Sequence, residues 1–134
     1  MSAPFIFITT HRINDGKLQD FLKLNREYVE FLEASDPTMQ ELHVYMNEQQ
    51  TELSYVHVFA DAGTADEHMQ AVGEWIGRGL EITETLRLEV YGGTPGPVLQ
   101  QALTAQSGLG VPLSIEANHL GGFSRKDNKA DQQR

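Results

Sequence analysis

The chain has 134 residues, 40% hydrophobic and 22% charged, the composition of one globular domain with its own core and not of a disordered or fibrous chain. It has no cysteine, which excludes disulfides, thiolate metal sites and cysteine nucleophiles. The net charge is −9, and sixteen acidic against six basic residues precede Ser107, so the body repels nucleic acid and anionic lipid, whose binding rests on Lys and Arg.

Phe5 to Thr10 is a short β-rich apolar run and reads as a central strand. Asn14-Asp15-Gly16 is turn chemistry. From Lys17 to Ala34, Leu18, Phe21, Leu22, Tyr28, Val29 and Leu32 fall on one helical face, and Ser35-Asp36-Pro37 stops the helix. Leu42 to Asn47 and Leu53 to Ala60 alternate on either side of the polar turn Glu48-Gln49-Gln50-Thr51, which predicts a hairpin. Thr64 with Glu67 has capping-box spacing and opens a second helix with Met69, Val72, Ile76 and Leu80 on its buried stripe. Leu86 to Tyr91 is the last alternating strand, and Pro97 starts a short third helix running to about Ala105.

The order β-α-β-β-α-β predicts an α+β ferredoxin-like sandwich, one antiparallel sheet with two helices on one face, followed by a C-terminal helix and extension. The expected organisation is a domain over residues 1–106, an ordered extension over 107–125 and a disordered tail over 126–134. The N-terminal residues carry no basic region before an apolar run, and no apolar stretch reaches the ~18 residues of a membrane span. A cytoplasmic protein with neither nucleic-acid nor membrane partner is expected.

Alternation divides the strand residues into two sets. Ile6, Ile8, Leu42, Val44, Met46, Val56, Val58, Leu86, Leu88 and Val90 are purely apolar and are expected beneath the helices. Phe5, Phe7, His11, His43, Tyr45, Asn47, Tyr55, His57, Phe59, Arg87, Glu89 and Tyr91 are then left on the open face, with His43 and His57 on adjacent strands. Such an amphipathic face calls for a cover, and a second copy of the same face is the economical one. The expectation is a homodimer whose two sheets enclose a barrel cavity.

The first strand Phe5–Arg12, the helix opening Gly16-Lys17-Leu18 with Phe21, the Glu33-Ala34-Ser35-Asp36-Pro37 turn and the passage ending Asp66-Glu67-His68 carry a resemblance. The chain resembles the dimeric α/β-barrel superfamily, and within it the antibiotic biosynthesis monooxygenase-like proteins, over residues 4–92. The resemblance implies a dimeric α/β barrel and small-molecule chemistry of cofactor-independent monooxygenase or isomerase type on an aromatic or polyketide-like compound. It also matches His68 to a histidine of the second helix. Where that family tends to carry Glu-x-Tyr or Glu-x-Trp on the third strand, this chain has His57-Val58-Phe59.

The candidate catalytic residues are His57 and His43, since imidazole titrates near neutrality and suits general acid–base work. The candidate ligand contacts are Tyr45, Tyr55, Arg87, Tyr91, Asn25 and His68. No cofactor and no metal ligand is assigned. Two other functions stand beside small-molecule conversion: a non-enzymatic binding or stress-response dimer, and haem or metal binding through the histidines, with His11 or Glu89 as a third ligand.

Overall fold

The computed structural model describes residues 3–125; the tail expected over 126–134 lies outside the described residues. The strands are β1 (Phe5–Ile13), β2 (Met39–Met46), β3 (Glu52–Phe59), β4 (Thr83–Tyr91) and β5 (Leu113–Glu116). The helices are α1 (Leu18–Ser35), α2 (Ala62–Ala71), α3 (Gly73–Leu80) and α4 (Pro97–Gly108). The strands form one sheet in the order β2-β3-β1-β4-β5, antiparallel except for the parallel β4–β5 pair. This is the expected α+β ferredoxin-like fold, and a single chain does not close into a barrel. Among the described residues no helix is long and apolar enough to cross a membrane.

The helices cover the face opposite to the one expected for β1 and β3. Phe5, Phe7, Phe59, Leu88 and Val90 pack with Ala65 of α2 and with Leu99 and Leu103 of α4 into the main core. Ile13, Phe21 and Leu53 form a second core under α1, flanked by Val44 and Met46. The aromatic half of β1 and β3 is therefore buried, and Ile6, Ile8, Val56 and Val58 occupy the open face. Alternation defines two faces but not which of them the helices take. Large rings bury more apolar area than Ile or Val, so two half-exposed β-branched pairs cost less than three exposed phenylalanines.

The β2–β3 hairpin fixes a second difference. Asn47 Oδ1 accepts from the backbone N–H groups of Thr51 and Glu52, both at 2.9 Å, and Gln50 takes the left-handed conformation at φ 59°. That loop sets Leu42 opposite His57 and His43 opposite Val56. Directly opposed residues share a face, so His43 and His57 point to opposite sides of the sheet and cannot meet.

The expected alternation of β4 is broken by a bulge. Thr10 pairs with Arg87 and His11 with Thr85, skipping Leu86. The extra residue reverses the parity of the strand, so Thr85 and not Leu86 joins Leu88 and Val90 beneath the helices.

Asp61, not Thr64, caps α2: its carboxylate accepts from Thr64 N at 2.8 Å, and Thr64 Oγ1 accepts in return from Asp61 N. The single second helix expected from the sequence is two helices, α2 and α3, which meet at Val72 and Gly73. Helix α4 is anchored to α2 by Asp66, whose carboxylate accepts from Val98 N and Leu99 N at 3.0 and 2.8 Å. A Cβ on Gly96 would stand 2.6 Å from that carboxylate and would have to push it off the two N–H groups that it caps. In the extension, Val111 and Leu113 pack against the main core, whereas Leu120 and Phe123 are almost wholly exposed.

Candidate functional site

Between the covered sheet face and α1, α3 and α4 lies a cavity of about 350 Å³, within the size range of small-molecule sites. Its floor is the inward row of β1 and β3, including Phe7, Tyr55 and His57. Its roof includes Leu24 and Tyr28 of α1 with Trp75 and Ile76 of α3. Among the described residues no Lys, Arg, Asp or Glu lines it.

At one end stand two histidines. His57 is 6% exposed, and its Nδ1 lies 2.8 Å from Phe7 O. A carbonyl only accepts, so Nδ1 carries the hydrogen and Nε2 of the neutral ring is an acceptor. The ring stacks on Phe7, with centroids 5.3 Å apart. Burial, with the neighbouring His68 adding to it, lowers the His57 pKa to about 3, so the ring stays neutral at physiological pH.

His68 of α2 stands 5.6 Å from His57 between ring centroids. Its Nδ1 is 2.6 Å from Asp36 Oδ2, and both side chains are buried, at 2% and 5% exposure. Asp36 is positioned by the turn that ends α1, and its Oδ1 accepts from Thr38 N at 3.0 Å and from the Thr38 hydroxyl. Burial pushes the Asp36 carboxyl up, but the bonds from His68 and Thr38 outweigh it and hold the group below its ordinary value. Burial lowers His68 against the opposing pull of Asp36. The pair is thus a carboxylate accepting from a neutral imidazole, which orients the ring and leaves Nε2 as a base. No buried side-chain nitrogen or oxygen among the described residues lacks a partner, so the two Nε2 atoms, which have none in the protein, open on the cavity.

The other end is built by the bulge. His11 Nε2 lies 3.0 Å from Thr9 Oγ1, and its Nδ1 lies 3.3 Å from Thr85 Oγ1. Burial lowers the His11 pKa to about 4. Tyr55 stands between the two ends, 6.3 Å from the His11 ring and 6.0 Å from the His57 ring. Its hydroxyl donates to Asn25 Oδ1 at 2.8 Å, so Asn25 acts on the cavity by holding a wall residue. Burial raises the Tyr55 and Tyr28 hydroxyls above their ordinary value, keeping them protonated.

The structure therefore brings together His57, His68 and Tyr55, with Asn25 behind Tyr55. His43, Tyr45, Arg87 and Tyr91 lie apart from them on the open face or its rim. His43 Nε2 donates to Glu41 Oε1 at 3.0 Å, and Tyr45 is 60% exposed. Arg87 stands 3.7 Å from Glu89, which also accepts from the Tyr91 hydroxyl at 2.6 Å. Two residues of the site carry no sequence signal: Asp36 reads as helix-stop chemistry, and Thr85 is hidden by the bulge. A buried carboxylate partner for His68 is 32 residues away along the chain, and no local spacing announces it. Among the described residues no cluster of three His, Asp or Glu side chains is placed to hold a metal ion.

No protein-family model matches the chain, and no curated protein matches it in sequence. Solved structures do match in fold. MupZ from Pseudomonas fluorescens superposes with a TM-score of 0.71 at 18% identity, over 95% of this chain and 93% of that one. An antibiotic biosynthesis monooxygenase superposes with a TM-score of 0.58 at 14% identity, over 68% of this chain and 99% of that one. A candidate antibiotic biosynthesis monooxygenase from Nitrosomonas europaea gives 0.57 at 13% identity, over 72% of this chain and 97% of that one. The shared architecture is that of the antibiotic biosynthesis monooxygenase-like proteins, and at these identities the likeness is one of fold.

Proposed function

We propose that this chain, built on the antibiotic biosynthesis monooxygenase-like fold, converts a small molecule inside the intrachain cavity by proton transfer, with His57 and the Asp36-oriented His68 as the acid–base pair. The observation that carries this reading is the buried 2.6 Å bond between His68 and Asp36 beside a neutral His57, at the wall of a cavity that no Lys, Arg, Asp or Glu among the described residues lines. A neutral imidazole with its second nitrogen already committed is a base aimed in one direction. Desolvation strengthens any charge interaction formed in so apolar a space.

Removal of a proton from carbon by one imidazole, and its return at another atom from the imidazolium so formed, completes an isomerisation. In oxygenation the same step would deliver an electron-rich substrate anion to dioxygen: an activated CH₂ becomes a carbonyl, and the second oxygen atom leaves as water with both hydrogens. Either route uses the same two bases and no nucleotide.

The test is exchange of acidic C–H protons of a neutral cyclic ketone into D₂O, followed by NMR. The protein should accelerate exchange over buffer, and His57→Ala and His68→Ala should each remove on the order of 10²-fold of that acceleration. Exchange no faster than buffer with the ketone bound, or insensitive to both substitutions, overturns the reading.

The open sheet face supports a homodimer. Ile6, Ile8, Val56 and Val58 form an apolar centre on β1 and β3, and His43, Tyr45, Arg87, Glu89 and Tyr91 surround it with polar and aromatic groups, the composition of an interface with a rim. Light scattering should give twice the 15.0 kDa chain mass, and Val56→Glu should return it to one chain. A wild-type monomer at micromolar concentration overturns this part.

A further inference from the structure

We infer that the cavity selects a neutral, two-ended ligand: a hydrogen-bond donor at the His57/His68 end and an acceptor such as a ketone at the Thr9/His11/Thr85 end, with carboxylates and phosphates excluded. This rests on the reading of the cavity as the site of chemistry and specifies what that site takes.

The hydrogens at the two ends decide what each can bind. At the first end, Phe7 O and the Asp36 carboxylate hold the Nδ1 hydrogens of His57 and His68, which leaves two Nε2 lone pairs facing the cavity and no N–H. The two imidazoles accept only, so a ligand group that faces them must bring a hydrogen. At the second end, neutral His11 has one N–H and one lone pair, each spent on a threonine hydroxyl. One of the two hydroxyls donates its hydrogen to the ring. The other accepts from the ring, so its own hydrogen remains unspent, with no acceptor among the described residues. That end therefore offers a donor to a ligand acceptor. The bulge at Leu86 is what makes this possible, because regular pairing would put Leu86 where Thr85 stands.

Between the ends the wall is aromatic: Tyr55 below, with Tyr28 and Trp75 above, Trp75 lying 5.4 Å from Tyr28 between ring centroids. A flat, apolar ligand body fits such a slot. Charge decides the exclusion. Among the described residues no cation lines the cavity, and both Asp36 oxygens are already occupied by His68 and Thr38, so an anionic ligand would be buried without a counter-charge and near a carboxylate. The low pKa values of His11 and His57 keep either ring from supplying the missing positive charge above pH 5.

Trp75 is the one tryptophan of the chain and lines the cavity, so its fluorescence reports occupancy. Full-length protein is titrated with four probes on two fused six-membered rings, each affinity being confirmed by calorimetry. They are 6-hydroxy-1-tetralone, with donor and acceptor at opposite ends, then 1-tetralone, 6-hydroxytetralin and 6-hydroxy-1-naphthoate. The hydroxy-ketone should bind tightest; loss of either end should weaken binding by about fivefold, one hydrogen bond each. The naphthoate should bind more than about tenfold less tightly, as expected for an unpaired buried charge. Thr85→Val, nearly isosteric, removes one of the two hydroxyls and should shrink the advantage of the ketone while leaving that of the hydroxyl. Naphthoate binding equal to or tighter than the hydroxy-ketone overturns the selectivity while leaving the cavity a ligand site. So does equal binding of all three neutral probes. Absence of binding by any probe overturns both this inference and the reading on which it rests.

Discussion

The two faces of the sheet are cut from the same strands and have opposite fates. On β3, Tyr55, His57 and Phe59 go inward and Val56 and Val58 outward; on β2, His43 and Tyr45 go outward. The inward histidine loses water, gains Phe7 O and an aromatic neighbour on each side, and becomes a fixed neutral base. The outward one keeps half its exposure and a carboxylate partner in water. A residue type alone therefore says little about role; which side of the pleat it occupies decides whether its chemistry is available in a dry, oriented form.

The comparison is most easily broken in the core. Phe59 is fully buried against Phe5 and Ala65, while Val58 beside it faces outward. Phe59→Ala should cost about 3–5 kcal/mol of unfolding free energy, as large cavities in cores do. Val58→Ala should cost about 1 kcal/mol in the monomeric Val56→Glu background. Urea denaturation of the variants measures both, and equal costs would mean that the inward face is not the core.

Acid should separate the faces next. Unfolded His11 and His57 take up protons near pH 6.5, whereas the folded rings resist until about 4 and about 3. The unfolded chain then binds more protons below pH 6.5, so stability is complete above that pH and falls as pH drops toward 4. Between pH 7 and pH 5 each of the two should remove about 2 kcal/mol. Asp36 and His68, both lowered, act in the same direction. Denaturation at the two pH values checks the total, and His57→Phe should abolish its share of the slope. A flat profile would place the rings in contact with water.

Asp36→Asn should act more locally, at a cost of about 1–3 kcal/mol for a weakened charge-assisted bond in a buried setting. It should lower the C–H exchange rate more than it lowers ketone affinity, because it disturbs the orientation of His68 and not the cavity shape. A variant that lost affinity and rate in equal proportion would assign Asp36 to support of the wall alone.

Much of the fold was legible in the sequence because it is periodic. The helix at Leu18–Ser35 and the hairpin follow from apolar spacing, and β1 from its run of β-branched and aromatic residues. What was not legible depends on choices that periodicity leaves open. Alternation assigns Phe7 and His57 to one set but cannot say that α4 will cover that set. A single extra residue, Leu86, exchanges Thr85 for Leu86 in the cavity wall without leaving a local mark. The second helix reads as continuous because Val72 fits its stripe, although the chain breaks there into α2 and α3. Asp36 and His68 each look ordinary, the one a turn residue and the other a helix residue. Only the tertiary fold brings them to 2.6 Å.

The smallest expected effect is the sharpest test of the comparison. His43 has the same imidazole as His57 and is only one position along the register from being its neighbour across the hairpin. Its hydrogen bond to Glu41 is between half-exposed groups on an edge strand, where solvent screens the interaction and such pairs contribute little. His43→Ala should therefore change unfolding free energy by less than about 0.5 kcal/mol. It should leave C–H exchange and hydroxy-ketone binding as in the wild type, while His57→Ala impairs both. The two variants remove the same ring from opposite sides of the sheet. If His43→Ala slowed exchange as strongly as His57→Ala, the reacting molecule would have to be held on the open face, in the space between two copies.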